Sequence, residues 1–192
     1  MWQSMNQIHH TKLLNRIAFF VGCLATQMLY AETTLEVEAG PGYGLAGHAN
    51  SMRYELQIEH EFKEGWSIDG LYRTAKPSDS SRWDHKHELG ITREFGVTYL
   101  RLAGGHMADD GRSYNFYNIQ PGFKIPISSQ WDLRLAYRFI HSLPNQSVSG
   151  SSQTYRTALE YKWSKDLKLK IKWDHERREM NEFAIGIAYS LD

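Results

Sequence analysis

The stretch LKLKIKWDHE, from Leu167 to Glu176, alternates apolar and charged residues almost without exception. Successive side chains of an extended chain point to opposite sides, so one face of this stretch is apolar and the other is charged. Such period-2 alternation predicts a β-strand between two different environments. The pattern leaves open which face meets water, because the lysines would lie outside a soluble sheet but inside a membrane barrel. The apolar face carries Leu167, Leu169, Ile171 and Trp173, and the charged face carries Lys168, Lys170, Lys172 and Asp174.

The same alternation recurs along the chain after about the first thirty residues, where no convincing amphipathic helix is found. We therefore expect an all-β protein made of antiparallel strands. The alternating segments predict ten strands, at residues 33–42, 52–62, 66–74, 85–95, 97–106, 114–127, 131–141, 153–163, 167–175 and 183–191. In the fifth segment Val97 and Tyr99 are out of phase with Leu100 and Leu102, which predicts a β-bulge near Gly96.

The connections between these segments differ in length, and short ones alternate with long ones. An up-and-down barrel places all its short turns at one rim and all its long loops at the other, which is typical of bacterial outer-membrane barrels. The short connections are residues 63–65, 96, 128–130 and 164–166. The long connections are residues 43–51, 75–84, 107–113, 142–152 and 176–182.

The N-terminal segment has the order of a secretory signal. Lys12 and Arg16 precede a short apolar run at residues 17–25, and Ala31 offers a small residue for cleavage. We therefore expect residues 1–31 to be a cleaved signal peptide and residues 32–192 to form one barrel domain. An ordinary N-terminal helix, or a lipoprotein signal cut before Cys23, are the alternatives.

Composition excludes several classes of protein. The 192 residues carry 22 basic and 22 acidic side chains, so overall charge gives no reason to expect a nucleic-acid partner. No run approaches the ~20 apolar residues of a spanning helix. Loss of residues 1–31 would leave a net charge of −2 and would remove Cys23, the only cysteine, so no disulfide is expected.

Aromatic residues beside the short turns favour the membrane interpretation. Trp66, Phe95, Trp131 and Trp163 would form the girdle that barrels place at a membrane interface. Hydrocarbon cannot satisfy backbone polar groups, so only a closed sheet can span it. We predict a transmembrane β-barrel of about ten strands in the outer membrane, with both termini periplasmic. A soluble ten-stranded ligand-binding barrel is the alternative.

The face opposite the apolar one would then line the lumen, and its charges are unevenly distributed. The first four segments form an acidic wall of Glu36, Glu38, Glu55, Glu59, Glu61, Asp69, Glu88 and Glu94, against Arg53, Arg73 and Lys86. Later segments form a basic wall of Arg101, Lys124, Arg134, Arg138, Arg156, Lys162, Lys168, Lys170 and Lys172, against Asp132, Glu160 and Asp174. These charges either pair across a narrow lumen and fill it, or leave a wet basic strip that guides anions.

Several motifs resemble those of the oligogalacturonate-specific (KdgM-like) porin family. They are YELQIEHEFKEGWSIDGLYRT (54–74), WDLRLAYRFIH (131–141), RTALEYKW (156–163) and the final FAIGIAYSLD (183–192). The resemblance implies a channel for acidic sugars with a basic lumen. It also implies twelve strands, whereas the alternation predicts ten. On this basis Arg134, Arg138, Arg156 and the three lysines of residues 168–172 would contact the solute.

Passage of small hydrophilic solutes, including acidic oligosaccharide-like anions, is the function that these patterns favour. No cofactor is expected; membrane lipid and lipopolysaccharide are expected partners, and the sequence leaves the oligomeric state open. A non-conducting interaction barrel is the first alternative. A rim-sited hydrolase or a metal site is another, using Asp84, His85, His87, His106, Asp109, Asp110, His141 and His175, although no catalytic motif is present.

Overall fold

The computed structural model describes residues 32–44, 50–109, 112–143, 150–177 and 180–191. The proposed signal peptide lies outside the described residues. Ten strands follow one another along the described chain. They are β1 (Thr33–Gly44), β2 (Ser51–Lys63), β3 (Trp66–Pro77), β4 (Asp84–Phe95), β5 (Thr98–Asp109), β6 (Arg112–Pro126), β7 (Trp131–Ser142), β8 (Ser151–Lys162), β9 (Leu167–Glu176) and β10 (Met180–Leu191).

Every strand pairs antiparallel with its neighbours in sequence, and β1 also pairs with β10, so the sheet closes into a barrel. The closing register joins Thr33 to Leu191 and Val37 to Ile187. Closure leaves no unpaired sheet edge. The all-β, antiparallel, ten-stranded prediction is confirmed, and the twelve strands implied by the porin resemblance are wrong for this chain.

Between its two rims, the outward face of the barrel is mainly apolar. Large side chains such as Ile185, Ile187 and Leu89 are 61%, 51% and 76% exposed, while charged residues alternate with them on the inside. Exposed apolar surface on this scale is costly in water and suits hydrocarbon. The apolar face of LKLKIKWDHE is therefore the lipid face, and the fold is a transmembrane barrel. Among the described residues, no helix has the length and hydropathy needed to cross a membrane.

The short turns lie together at one rim. The start of β1 and the end of β10 lie at the same rim. Gly65 and Gly96 adopt φ values of 67° and 66°, which L-residues with a side chain rarely adopt. The two other turns use one motif, in which the hydroxyls of Ser128 and Ser164 accept hydrogen bonds from backbone N–H groups two and three residues later.

The predicted aromatic girdle is present at this rim. Phe95, Trp131 and Trp163 are exposed on the outside. Arg93 also faces outward, with its guanidinium 5.1 Å from the centre of the Trp66 ring and donating to the Glu64 carbonyl oxygen at 2.9 Å. An arginine held in this way keeps its charge at the membrane–water interface.

The predicted bulge near Gly96 is wrong. Pairing between β4 and β5 runs without a shift from His85–Ala108 to Phe95–Thr98. The conflict in phase arises because Tyr99 faces the lumen, where its ring lies over Gly122: a side-chain carbon there would be 2.4 Å from it. Tyr99 is an aromatic residue on the polar face, so it interrupts the alternation of apolar and polar residues although the backbone of the strand is regular.

At the other rim the strands extend further than hydrophobic alternation predicted. The connection expected at residues 107–113 is mostly strand, because β5 ends at Asp109 and β6 begins at Arg112. That connection is therefore not a long loop. Neither is the one expected at residues 176–182, because β9 ends at Glu176 and β10 begins at Met180, so the predicted alternation of short and long connections fails at both points. The reason is that outward positions of this rim, such as His106 and Ser113, are polar, so hydropathy no longer marks the strand.

Candidate functional site

The lumen collects the charged residues of both predicted walls. Each of them occupies an inward position of its strand, and most line a cavity of about 200 Å³ in the half of the barrel nearest the short turns. That cavity is bordered by Glu36, Glu59, Glu61, Glu88, Glu94, Arg101, Lys124, Arg134, Arg138, Arg156, Lys168 and Lys170. Their contact with a solute stays a prediction.

Midway along the barrel, buried ion pairs fill one side of the lumen. We call their residues the waist cluster: Glu38, Arg53, Glu55, Lys172, Asp174 and Glu182. Arg53 of β2 is 1% exposed and contacts Glu38 at 3.4 Å, Asp174 at 3.6 Å and also Glu182. Lys172 of β9 is 2% exposed and contacts Glu38 and Glu55. Charges buried this deeply are stable only when paired, and here each cation meets at least two carboxylates.

A second buried cluster joins β3, β4 and β5. Arg101 donates from Nε and Nη2 to the carboxylate of Asp69 at 2.9 and 2.5 Å, and it also bonds Glu88. Lys86 contacts the other oxygen of Glu88 at 2.7 Å, and Asn118 donates to Glu88 at 3.1 Å. The forked Arg101–Asp69 pair fixes both side chains against this wall of the lumen.

The basic wall is largely neutralised by carboxylates. On β8, Arg156 makes a forked pair with Asp174, with both distances 2.8 Å. The remaining pairs are Arg134 with Glu160 at 2.8 Å, Lys162 with Asp132 at 2.9 Å, Lys124 with Glu94 at 3.5 Å and Lys170 with Glu36 at 2.6 Å. The charges are therefore largely paired, as in the first of the two arrangements considered from sequence. The pairs of Arg156, Arg134 and Lys162, however, join neighbouring strands and do not cross the lumen.

Among the described residues of the basic wall, Lys168 of β9 and Arg138 of β7 have no ion pair, and only Arg138 is buried. It is 4% exposed, its Nε atom has no hydrogen-bond partner, and it forms no ion pair with any carboxylate in the described part of the chain. An unpaired buried guanidinium costs free energy that packing elsewhere must offset. Such a group offers its hydrogen-bond donors to whatever enters the lumen.

Arg138 also separates two cavities. It borders the 200 Å³ cavity on the short-turn side and a 560 Å³ cavity on the long-loop side. The outer cavity is bordered further by Arg73, Lys86, Phe116 and Glu182. On the β7 side of the barrel, one arginine side chain therefore borders both halves of the lumen, whereas on the facing β2 side the waist cluster fills the space.

Sequence reasoning missed two charged lumen residues, Glu176 and Glu182, which were assigned to the connection 176–182. Glu176 ends β9 and borders the outer cavity. Glu182 lies in β10 and faces inward, where it bonds both Arg53 and Arg73. Its signal was the alternation of Met180, Glu182 and Ala184 with Asn181 and Phe183, which hydropathy alone does not resolve.

The histidines considered for a hydrolase or metal site at the long-loop rim lie on the outside of the barrel. His85, His87, His106, His141 and His175 all occupy outward positions of their strands, and Asp84 occupies an inward one; Asp84 and His85 both border the outer cavity. The side chains of Asp109 and Asp110 lie outside the described residues. No group of three or more His, Cys, Asp or Glu able to hold a metal ion occurs among the residues that are described.

Known proteins resemble this chain in structure. Neither a scan against protein-family models nor a search of curated proteins gives a match. Among solved structures, the NanC porin is similar over 82% of this chain and 100% of its own, with a TM-score of 0.49 and 12% identity. The KdgM porin is similar over 84% of this chain and 99% of its own, with a TM-score of 0.44 and 13% identity. The outer-membrane protein Ail of Yersinia pestis is similar over 84% of this chain and 99% of its own, with a TM-score of 0.42 and 12% identity.

Proposed function

We propose that this protein is an outer-membrane channel of low conductance for small hydrophilic solutes, with a preference for anions. Residues 1–31 would direct export, and the apolar outside would contact membrane lipid, including lipopolysaccharide. The observation that carries the proposal is the pair of charge-lined cavities that meet at Arg138.

The preference for anions is argued from the unpaired charge. A cation that is already neutralised by a carboxylate attracts a passing anion weakly, so Lys170 and Lys172 contribute less than their number indicates. Arg138 forms no ion pair among the described residues, and Arg134 and Arg156 border the same cavity. Positive groups that line a narrow pore favour anions over cations.

The size of the solute follows from the waist cluster. With Arg53 and Lys172 fixed in ion pairs, only small ions would pass beside Arg138. Passage of acidic oligosaccharides, the solutes implied by the porin resemblance, would require these pairs to separate. The lumen of a ten-stranded barrel has little room for an oligosaccharide beside the side chains of the waist cluster.

A specific observation favours a second candidate, a non-conducting barrel. Arg53 and Asp174, near the middle of the lumen, are each 1% exposed. Burial this complete is typical of small barrels whose side chains fill the interior. In that case the long-loop rim, and not the lumen, would carry the function.

Conductance in planar bilayers separates the two. A channel predicts small discrete currents and a reversal potential in a salt gradient that shows anion preference. Arg138→Gln should lower that preference, whereas Arg93→Gln, an arginine on the outside at the short-turn rim, should leave it unchanged. Bilayers that stay silent with folded, heat-modifiable protein would overturn the channel and leave the filled barrel.

A further inference from the structure

The outside of the barrel carries a groove over strands β2 to β5. Leu56, Ile58 and Leu89 form its sides, and Gly70 and Gly104 form its floor, and the groove encloses about 500 Å³. Tyr72, His87 and His106 border the end nearer the long loops. The groove is thus apolar along its length and polar at one end.

Packing does not explain the two glycines of the floor. A side-chain carbon added at Gly70 or Gly104 would lie 3.7 Å or 3.8 Å from its nearest neighbour, which is an ordinary contact. At the adjacent Gly105, which faces the lumen, the same carbon would be 2.2 Å from the His87 carbonyl oxygen. The missing side chains at positions 70 and 104 therefore leave space for something outside the chain.

Charge on the outward surface has one sign. Among the strand residues that the structure describes, no Asp or Glu occupies an outward position. The outward ionisable side chains towards the long loops, apart from tyrosines, are Lys76, His85, His87, His106, His141 and His175. A surface with only cations and titratable histidines at the head-group level complements an anionic lipid.

His87 and His106 face each other across β4 and β5. The His87 ring lies 4.9 Å from the Tyr72 ring and has no hydrogen bond among the described residues. The Nδ1 of His106 bonds the amide oxygen of Asn115 at 2.8 Å, and its Nε2 bonds Ser113 at 2.9 Å. Among the described residues, the titratable groups that face the pair are Tyr72 and His85, and none is a carboxylate.

We propose that this groove binds one phosphorylated lipid of the outer leaflet. An acyl chain lies between Leu56 and Leu89 over the two glycines, and a phosphate of the head group contacts His87 and His106. A protonated imidazole is a cation that donates from both ring nitrogens, so a phosphate binds it more strongly at lower pH. The proposal rests on the outside of the barrel, so it stands whether or not the lumen conducts.

Native mass spectrometry tests the site. Folded protein is incubated with phosphatidylcholine vesicles containing bis-phosphorylated lipid A, or its dephosphorylated form, at about pH 5.5 and about pH 8. We expect one retained phosphorylated lipid per barrel at the lower pH, weaker retention at the higher pH, and little retention of the dephosphorylated lipid. Equal retention of the two lipids would overturn the phosphate contact without requiring any variant.

Two pairs of substitutions locate the lipid. His87→Gln with His106→Gln should abolish the dependence on phosphate, and Gly70→Leu with Gly104→Leu should fill the groove and abolish retention. His141→Gln with His175→Gln changes the same residue type outside the groove and should retain the lipid. Retention by the groove-filled barrel, or equal loss in all three, would place the lipid elsewhere and contradict the proposal. Heat-modifiability confirms that each variant is folded.

Discussion

The Nζ atom of Lys172 on β9 lies 3.0 Å from Oε1 of Glu55 on β2, although β10 and β1 stand between those strands. The two residues are 117 positions apart in the chain. Their contact therefore crosses the lumen and does not run along a pair of neighbouring strands. It joins the acidic wall to the basic wall at the waist cluster.

We expect Lys172→Met to destabilise the barrel by about 3–5 kcal/mol, because it leaves Glu55 and Glu38 buried without this partner. Urea unfolding in lipid vesicles, followed by tryptophan fluorescence, measures the change. Adding Glu55→Gln should recover part of the loss. Lys124→Met is the control, since the Lys124–Glu94 pair is more than a third exposed and should be worth at most about 1 kcal/mol. Equal effects of the two lysine substitutions would contradict the waist cluster.

Two adjacent glycines should respond differently to alanine. Gly105→Ala places a carbon 2.2 Å from the His87 carbonyl oxygen and 2.6 Å from the Phe116 ring, so the barrel must shift. We expect it to cost at least about 1–3 kcal/mol, measured by the same unfolding assay. Gly104→Ala adds its carbon on the outside, 3.8 Å from the Phe116 carbonyl oxygen, which is an ordinary contact, and should fold as well as the wild type. A reversed order would contradict the assignment of the two faces in β5.

Labelling of single cysteines tests which face of β9 meets lipid. In a Cys23→Ser background, Ile171→Cys should resist a charged maleimide in folded, membrane-inserted protein. Lys168→Cys should react, because Lys168 borders the cavity on the short-turn side. The readout is the mass shift of the protein before and after unfolding. Rapid labelling at position 171 in the folded state would favour a soluble barrel.

The N-terminus of the exported protein is predicted to be Glu32. The mass of the protein purified from outer membranes should lack residues 1–31, including Cys23. Ala31→Arg should block cleavage, because signal peptidases require a small residue there, and unprocessed precursor should accumulate. A mature protein that begins at Cys23 with a lipid attached would instead support the lipoprotein signal.

The strands were predictable because a barrel between lipid and a polar lumen imposes period-2 alternation on each of them. LKLKIKWDHE illustrates this well: its boundaries, 167–176, differ by one residue from the predicted 167–175. Prediction failed where the environments change. Outward positions at the long-loop rim are polar, which hid Glu182 in a supposed loop, and Tyr99 faces the lumen, which suggested a bulge that is absent.

The partners of the charged residues were not predictable. The sequence identified Lys172 and Glu55 as inward residues, but their meeting depends on how far each strand is displaced along its neighbour when the sheet closes. The same holds for Arg138. The sequence places it at an inward position like Arg134 and Arg156, yet of these three arginines it alone has no ion pair among the described residues. The groove needed the structure for a similar reason, since Gly70 and Gly104 lie on different strands.

The sequence by itself determined the class of fold, the number of strands and which side of each strand faces lipid. These properties are local, because each depends on residues within one strand and on the turns beside it. The tertiary structure decided which charges meet, which lumen arginine has no ion pair among the described residues and where the outside has a groove. Those properties depend on distances between strands far apart in the chain, and only closure of the barrel sets such distances.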